Sequence, residues 1–401
     1  MAILILSGYT EKNANYHEWL RNINEEIVLL TSENFKDFYE KHKDFYTHIE
    51  YFTNYITNDS VVKRATLLHQ QYNFDRLIAP YEYDLIRAAM LREQLHIEGQ
   101  SLDSALTFRD KFFMKEHAKK NNINISCFSD VNTKEDLRHF IHTNGFPIVI
   151  KPRLGAGGEG IEVISSHHDL SQLEMSKNDK YIVEEFIEGE MYHIDALIKH
   201  GSILFQWPSK YINDNLEFKD GAYFAGSYIL DKQDPVFNKL IEFNNLLIQS
   251  MPIPQVTTLH TEVFLRNDGE LILCEVASRT AGGKINDQLE AAFGINLLKY
   301  WIQLQVNPDT PQGYFSNEPL NYTGSLLIAP LGYKLVSYPK SKPSFIECLD
   351  YHAKEGEFFN QVGSLNDRIA SFIVKGKNKK EIIELLNCGY TWFKQNSVWD
   401  F

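Results

Sequence analysis

The sequence predicts an α/β chain, with an open α/β domain at its start, a larger α+β unit in its middle and a small β-rich C-terminal region. Three observations predict it. The chain begins on a short, wholly apolar run at 3–6 (ILIL) that Ser7-Gly8 ends, the pattern of a buried parallel strand entering a βα turn. A second such run, 147–152 (PIVIKP), ends on a lysine that leads into four glycines within six positions, 155–160. Two apolar strands, 258–265 (TLHTEVFL) and 270–276 (ELILCEV), flank Asp268-Gly269, a hairpin signal. At 401 residues the chain exceeds one ordinary hydrophobic core. Two or three domains around a cleft are expected, divided as 1–103, 104–310 and 311–401.

In the first domain 28–30 reads as the strand after 3–6, with the polar-rich stretch 16–26 as the helix between them, then a strand at 77–80 and a helix at 85–96. The middle unit opens on helical composition at 109–120, followed by a strand at 123–127 and a helix at 135–143 that Asn144-Gly145 closes. After 147–152 comes the strand 181–186 (YIVEEF), which turns at Glu188-Gly189 and resumes as 192–198 (YHIDALI). In that strand Tyr192, Ile194, Ala196 and Ile198 point one way and His193 and Asp195 the other. One helix is predicted over 288–305, ended by Asn307-Pro308. Short apolar strands at 324–330 and 335–338 and a helix at 379–386 make up the tail. The polar segment 210–224 reads either as a substrate loop or as a disordered insertion.

Composition sets the outer bounds. An apolar fraction of 43% with 26 Phe and 21 Tyr is that of a folding chain. A formal charge of −13 opposes attraction to nucleic acid or an anionic membrane, and the one basic run, 375–380, is broken by Gly376 and Asn378 and reads as a solvated face. The four scattered cysteines, Cys127, Cys274, Cys348 and Cys388, form no metal-like pair and fit reduced thiols in a cytoplasmic protein. The apolar start is too short for a signal peptide, and no apolar stretch approaches the roughly 20 residues a membrane helix needs.

The residues that carry chemistry lie between 109 and 286. Lys151 followed by Gly155, Gly157, Gly158 and Gly160 sets a point positive charge beside a loop whose backbone N–H groups can approach phosphate oxygens closely, and the order is neither that of a P-loop nor GxGxxG. Glu262 and Glu275 stand on the two strands of the hairpin, where two carboxylates sharing a face suit Mg²⁺. Arg279, four residues on, is close enough to neutralise a developing phosphoryl charge. His260 shares a strand face with Glu262 and reads either as a lining residue of the substrate pocket or as a satisfied strand histidine. The pairs His139/His142 and His167/His168 read as surface groups.

Taken in order, RDK at 109–111, VIKPRLGAGGEGI, YIVEEFIEGEMYHIDAL and HTEVFL to LILCEVASRTAGG resemble the ATP-grasp superfamily in its carboxylate–amine ligase branch, over about 104–305. The resemblance implies an α+β ATP-grasp core behind the N-terminal open α/β domain. It implies that Lys111 and Lys151 contact ATP phosphates from two sides, that Gly155 to Gly160 form a lid, and that Glu184, Glu185 and Ile187 meet adenine, with Glu185 offering its carbonyl and Phe186 packing. It makes Glu262 and Glu275 the Mg²⁺ ligands and Arg279 the residue at the transferred phosphate, with Gly282 and Gly283 on the turn beyond. Two positions depart from the pattern. Met191 stands where many relatives hold ribose with a glutamate, leaving Glu190, His193 or Asp195 for that task. Ala277 stands where many have an asparagine, so the metal site either holds one Mg²⁺ weakly or recruits water or another side chain, Asn286 among them.

The activity so implied is ATP-dependent joining of a small carboxylate, such as an amino acid, to an amine through an acyl phosphate, by a homodimer. The alternatives are a nucleotide-binding regulatory or scaffolding protein, and ATP-dependent carboxylation or thiol ligation.

Overall fold

The computed structural model describes residues 2–9, 14–176, 179–213, 223–310, 315–359 and 365–400. Most of the polar segment read as a substrate loop or an insertion, 214–222, lies outside them.

The first sheet is parallel, with β1 (Ala2–Ser7), β2 (Glu26–Ser32), β3 (His48–Phe52) and β4 (Phe74–Ile78) in the order β3-β2-β1-β4. β1 is buried throughout because its alternate residues feed two cores, Ala2, Leu4 and Leu6 on one side and Ile3 and Ile5 on the other. The helix expected over 16–26 is only Tyr16–Trp19. Asn22 and Asn24, which favour turns, follow it before β2 begins.

A second sheet is antiparallel, with β5 (Phe128–Val131), β6 (Ile148–Pro152), β7 (Glu162–Ile164) and β8 (Tyr181–Glu185) in the order β5-β8-β6-β7. The strand expected at 123–127 is displaced to β5. Ile123 and Ile125 pack instead with the helix Lys111–Lys120 and the central sheet, and Ile125 makes one isolated bridge to Leu273.

Eight antiparallel strands form the central sheet. They are β9 (Gly189–Lys199), β10 (Ser202–Ile212), β11 (Phe224–Ile229), β12 (Val256–Arg266), β13 (Leu271–Ala277) and β14 (Tyr322–Ile328), continued, after β15 (Lys334–Ser337), by β16 (Ile346–Tyr351) and β17 (Ala370–Gly376). Their order is β13-β12-β9-β10-β11-β14-β17-β16, and β15 pairs separately with β18 (Val398–Asp400). The Asp268-Gly269 hairpin therefore lies at one edge, and three tail strands extend the same sheet at the other.

The single helix expected over 288–305 is two, Ile285–Phe293 and Leu297–Val306. Gly294, with φ +70°, ends the first, and the side chain of Asn296 caps the second by accepting from the Lys299 N–H at 2.9 Å. The second helix packs between the first sheet and the central one, where Gln303 Nε2 donates to the Trp19 carbonyl at 2.9 Å. Beside it the segment just past β4 meets the segment past β13, where Glu82 pairs with Arg279.

The last helix, Lys379–Asn396, is longer than the eight residues expected, and Gly389 lies within it. A Cβ at Gly389 would lie 2.5 Å from the ring of Phe372, which is fully buried and has nowhere to go. Gly389→Ala gains about 1 kcal/mol of helix propensity, but overpacking costs about 1–3 kcal/mol. Lower stability in urea is the expected net result, and an equal or higher midpoint would refute the close-packing argument. Among the described residues no helix is long and apolar enough to cross a membrane.

Candidate active site

A cavity of about 940 Å³ lies between the second sheet and the central one, and most of the sequence-selected residues line it, though Gly160, His193, Asp195 and Asn286 do not. β6 delivers Lys151 to its wall, where Nζ meets Glu184 Oε1 at 2.7 Å. Lys115 Nζ holds the other oxygen of Glu184 at 3.1 Å, and Ser126 Oγ donates to it at 2.8 Å. Burial works against the Glu184 charge, but Lys115 and Lys151 outweigh it and bring its pKa to about 2. Burial likewise disfavours a charged Lys151, and Glu184 keeps it charged. Lys115 went unnoticed in the sequence. Its spacing of four from Lys111, which places both on one helix face, was the available signal.

Lys111 opens its helix, which the Asp110 carboxylate caps through the Phe112 N–H at 3.0 Å. Its Nζ donates to the Gly155 carbonyl at 2.8 Å and pairs with Glu275 Oε2 at 3.1 Å, so one ammonium links the glycine loop to the hairpin. Arg153 fastens the base of that loop, reaching Asp110 at 2.7 Å and Asp130 at 2.9 Å. Within the loop Gly157, Gly158 and Gly160 have φ of 64°, 81° and 70°, a region that favours glycine.

Glu185, Phe186 and Ile187 line the cavity, as does Glu190, whose side chain is 56% exposed and is bonded by Lys210 and by Tyr192 OH. The other two ribose candidates do not. His193 and Asp195 are 0% and 1% exposed, lie behind the cavity wall and bond each other at 2.7 Å. Side chains from neighbouring strands on the same sheet face, Ser227, Tyr211 and His260, cover them, which sequence alternation does not reveal.

At the hairpin, Glu262 and Glu275 are direct cross-strand partners beside a β-bulge, and both line the cavity. Glu262 Oε1 accepts from Tyr211 OH at 2.7 Å and lies 3.2 Å from His260 Nε2. Burial opposes the Glu262 charge, yet the bond from His260 leads the groups that hold its pKa at about 2. Burial also opposes a charged His260, and Asp195 overcomes it to push the imidazole up to about 9. His260 thus both lines the cavity and is satisfied within the sheet. Asn286 stands outside the cavity, because its amide joins the two helices through Asn296 at 3.3 Å and the Leu298 N–H at 3.4 Å. In this arrangement its amide is not turned toward the carboxylate pair. The donor set nevertheless fits Mg²⁺, with two carboxylates on adjacent strands, one holding an oxygen, Glu262 Oε2, without a partner among the described residues.

Arg279 and the glycines Gly282 and Gly283 line the far end. The Arg279 guanidinium binds Glu82, which Arg109 also reaches at 2.6 Å, and donates to the Thr280 carbonyl at 2.7 Å. Burial opposes the Glu82 charge, and Arg279 followed by Arg109 draws its pKa to about 2. Glu82 comes from the segment just past β4 of the first sheet, and no local pattern marked it. Lys284, Ser325, Leu327 and Arg368 close the wall, so the tail region contributes to the cavity.

Residues 144–287 match the family described as ATP-grasp domain. An L-arginine-specific L-amino acid ligase of Bacillus subtilis is 31% identical over 285 residues, covering 66% of this chain and 68% of that protein. An alanine–anticapsin ligase of Bacillus subtilis (strain 168) is 23% identical over 305 residues, covering 69% and 64%. The chain thus spans about two thirds of the length of each. Among solved structures, an L-amino acid ligase from Bacillus licheniformis superposes with a TM-score of 0.79 at 14% identity, covering 100% of this chain and 99% of that one.

Proposed function

The chain belongs to the ATP-grasp family, and from that premise we propose that it is an ATP-dependent carboxylate–amine ligase that joins two small amino acids. The observation that carries this reading is the convergence of Lys111, Lys151, Glu262, Glu275 and Arg279 on one cavity roofed by the glycine loop. The amino acid ligases among its relatives support the substrate class.

In the proposed reaction a carboxylate oxygen of the first substrate attacks the γ-phosphorus of ATP, ADP leaves and an acyl phosphate forms. The amine of the second substrate then attacks the acyl carbon, and inorganic phosphate departs as the amide forms and the amine gives up its proton. Lys111 and Lys151 neutralise the triphosphate, and the N–H groups of Gly155 to Gly160 close over it and exclude water that would hydrolyse the acyl phosphate. Glu185, Phe186 and Ile187 border the adenine, and Glu190 is the ribose partner. Arg279 contacts the oxygens of the phosphoryl group on its way to the substrate carboxylate, exchanging its bond to Glu82, while His260, Gly282 and Gly283 border the acceptor. Mg²⁺ held by Glu262 and Glu275 would supply a charge that stabilises the transferring phosphoryl oxygens. The assembly belonging to this reading is a homodimer, which sedimentation would test.

With ATP, Mg²⁺ and pairs of amino acids, phosphate release should depend on the acids supplied. A product should appear at the summed mass of the pair less one water. ADP release independent of any carboxylate substrate would overturn the reading.

A further inference from the structure

The strand period of two puts His193 and Asp195 on one face of β9, and His260 and Glu262 on one face of β12. Antiparallel register then sets the two pairs against each other, with Glu262 opposite His193 and Asp195 opposite His260. Ser227 on β11 and Tyr211 on β10 are likewise register partners. The result is a continuous chain of bonds across four strands. Ser227 Oγ meets His193 Nε2 at 3.0 Å, His193 Nδ1 meets Asp195 Oδ2 at 2.7 Å, and Asp195 Oδ1 meets His260 Nδ1 at 2.9 Å. His260 Nε2 lies 3.2 Å from Glu262 Oε1, where Tyr211 OH also donates at 2.7 Å.

His193, Asp195 and His260 have the makeup of a metal site, but the spacing argues otherwise. Separations of 2.7 and 2.9 Å are hydrogen-bond lengths, whereas two ligands on one tetrahedral ion stand roughly 3.3 Å apart. Both Asp195 oxygens are already bonded to imidazoles. Holding such groups out of water is a costly way to join strands that apolar residues would join as well. The chain does have a chemical end, because it terminates on one oxygen of Glu262 and leaves the other without a partner among the described residues.

We propose that His193 and Asp195 are positioning residues for Glu262, acting through His260 to fix which carboxylate oxygen Glu262 presents to a divalent cation. The proposal rests on the reading of Glu262 as a metal ligand.

Mn²⁺ binding to the enzyme–ADP complex, read by electron paramagnetic resonance, tests this without turnover. In Asp195→Asn one carboxylate oxygen becomes an amide donor and one imidazole loses its acceptor. Mn²⁺ affinity should fall about tenfold while ADP affinity in EDTA stays close to wild type, even though losing a buried charge lowers the melting temperature. In turnover the half-saturating Mg²⁺ should rise, with the rate recovering at high Mg²⁺, a split that a merely structural role would not produce. Wild-type Mn²⁺ affinity in folded Asp195→Asn would overturn the proposal. Should that variant not fold, His193→Gln decides, with weakened Mn²⁺ binding supporting the relay and unchanged binding refuting it. Glu262→Gln separates the two levels. If it retains Mn²⁺ affinity, the metal reading and the relay both fall, and if it loses affinity while Asp195→Asn does not, only the relay falls.

Discussion

Lys151→Ala should weaken ATP binding and nearly abolish turnover. The ammonium is delivered by β6 to the cavity wall beside the glycine loop, and its removal takes away a positive charge where the phosphates are proposed to lie. Loss of one well-placed electrostatic group in a water-excluded site costs about 100- to 1000-fold in rate. The variant also breaks a buried ion pair with Glu184, so part of any effect could come through folding. Two features limit that route, because Glu184 keeps Lys115 at 3.1 Å and Ser126 at 2.8 Å. Circular dichroism and nucleotide titration on the same sample separate the contributions. Near-normal nucleotide affinity and rate in the folded variant would remove Lys151 from the site.

Glu275→Gln should keep the fold and lower the rate at least about 100-fold, with Glu262→Gln acting in the same direction but less severely. The two carboxylates are cross-strand partners, an arrangement whose repulsion is relieved when a cation lies between them and, for Glu275, by Lys111 at 3.1 Å. Glutamine preserves shape, so lost packing does not imitate a lost ligand. Stabilisation concentrated in the transition state makes one such group worth roughly 3–4 kcal/mol. A carboxylate with only a surface role would change stability by less than about 0.5 kcal/mol and leave the rate untouched. Turnover against Mg²⁺ concentration for wild type and variant decides between them. Superimposable curves would exclude Glu275 as a ligand.

What the sequence by itself determined is what short-range geometry governs. The alternation of 258–265 and 270–276 around Asp268-Gly269 specified a hairpin with the two carboxylates on adjacent strands. The register of its turn, with Val263 opposite Leu273, would set Glu262 against Cys274, and it is the β-bulge between Glu262 and Val263 that brings Glu275 opposite. The glycines after Lys151 were legible for a similar reason, since three of them adopt the positive φ that favours this residue. Helix ends were less so: Gly294 divides a stretch whose apolar content reads as one helix, because a left-handed stop is set by one residue against the periodicity of many. Only the tertiary structure decided the partners. Glu82 and Arg279 are 197 positions apart, and Asp195 and His260 are 65 apart, so neither pair leaves a local pattern. Those meetings depend on which strands lie side by side and on how the first sheet docks through the helix Leu297–Val306, both settled by long-range burial of apolar surface. For the same reason His193 and Asp195, polar residues on a strand face that the sequence leaves open to a ligand, are sealed behind the wall, and Asn286 is taken up in joining two helices. Local sequence fixes which way a side chain leaves its backbone, and packing fixes what it meets there.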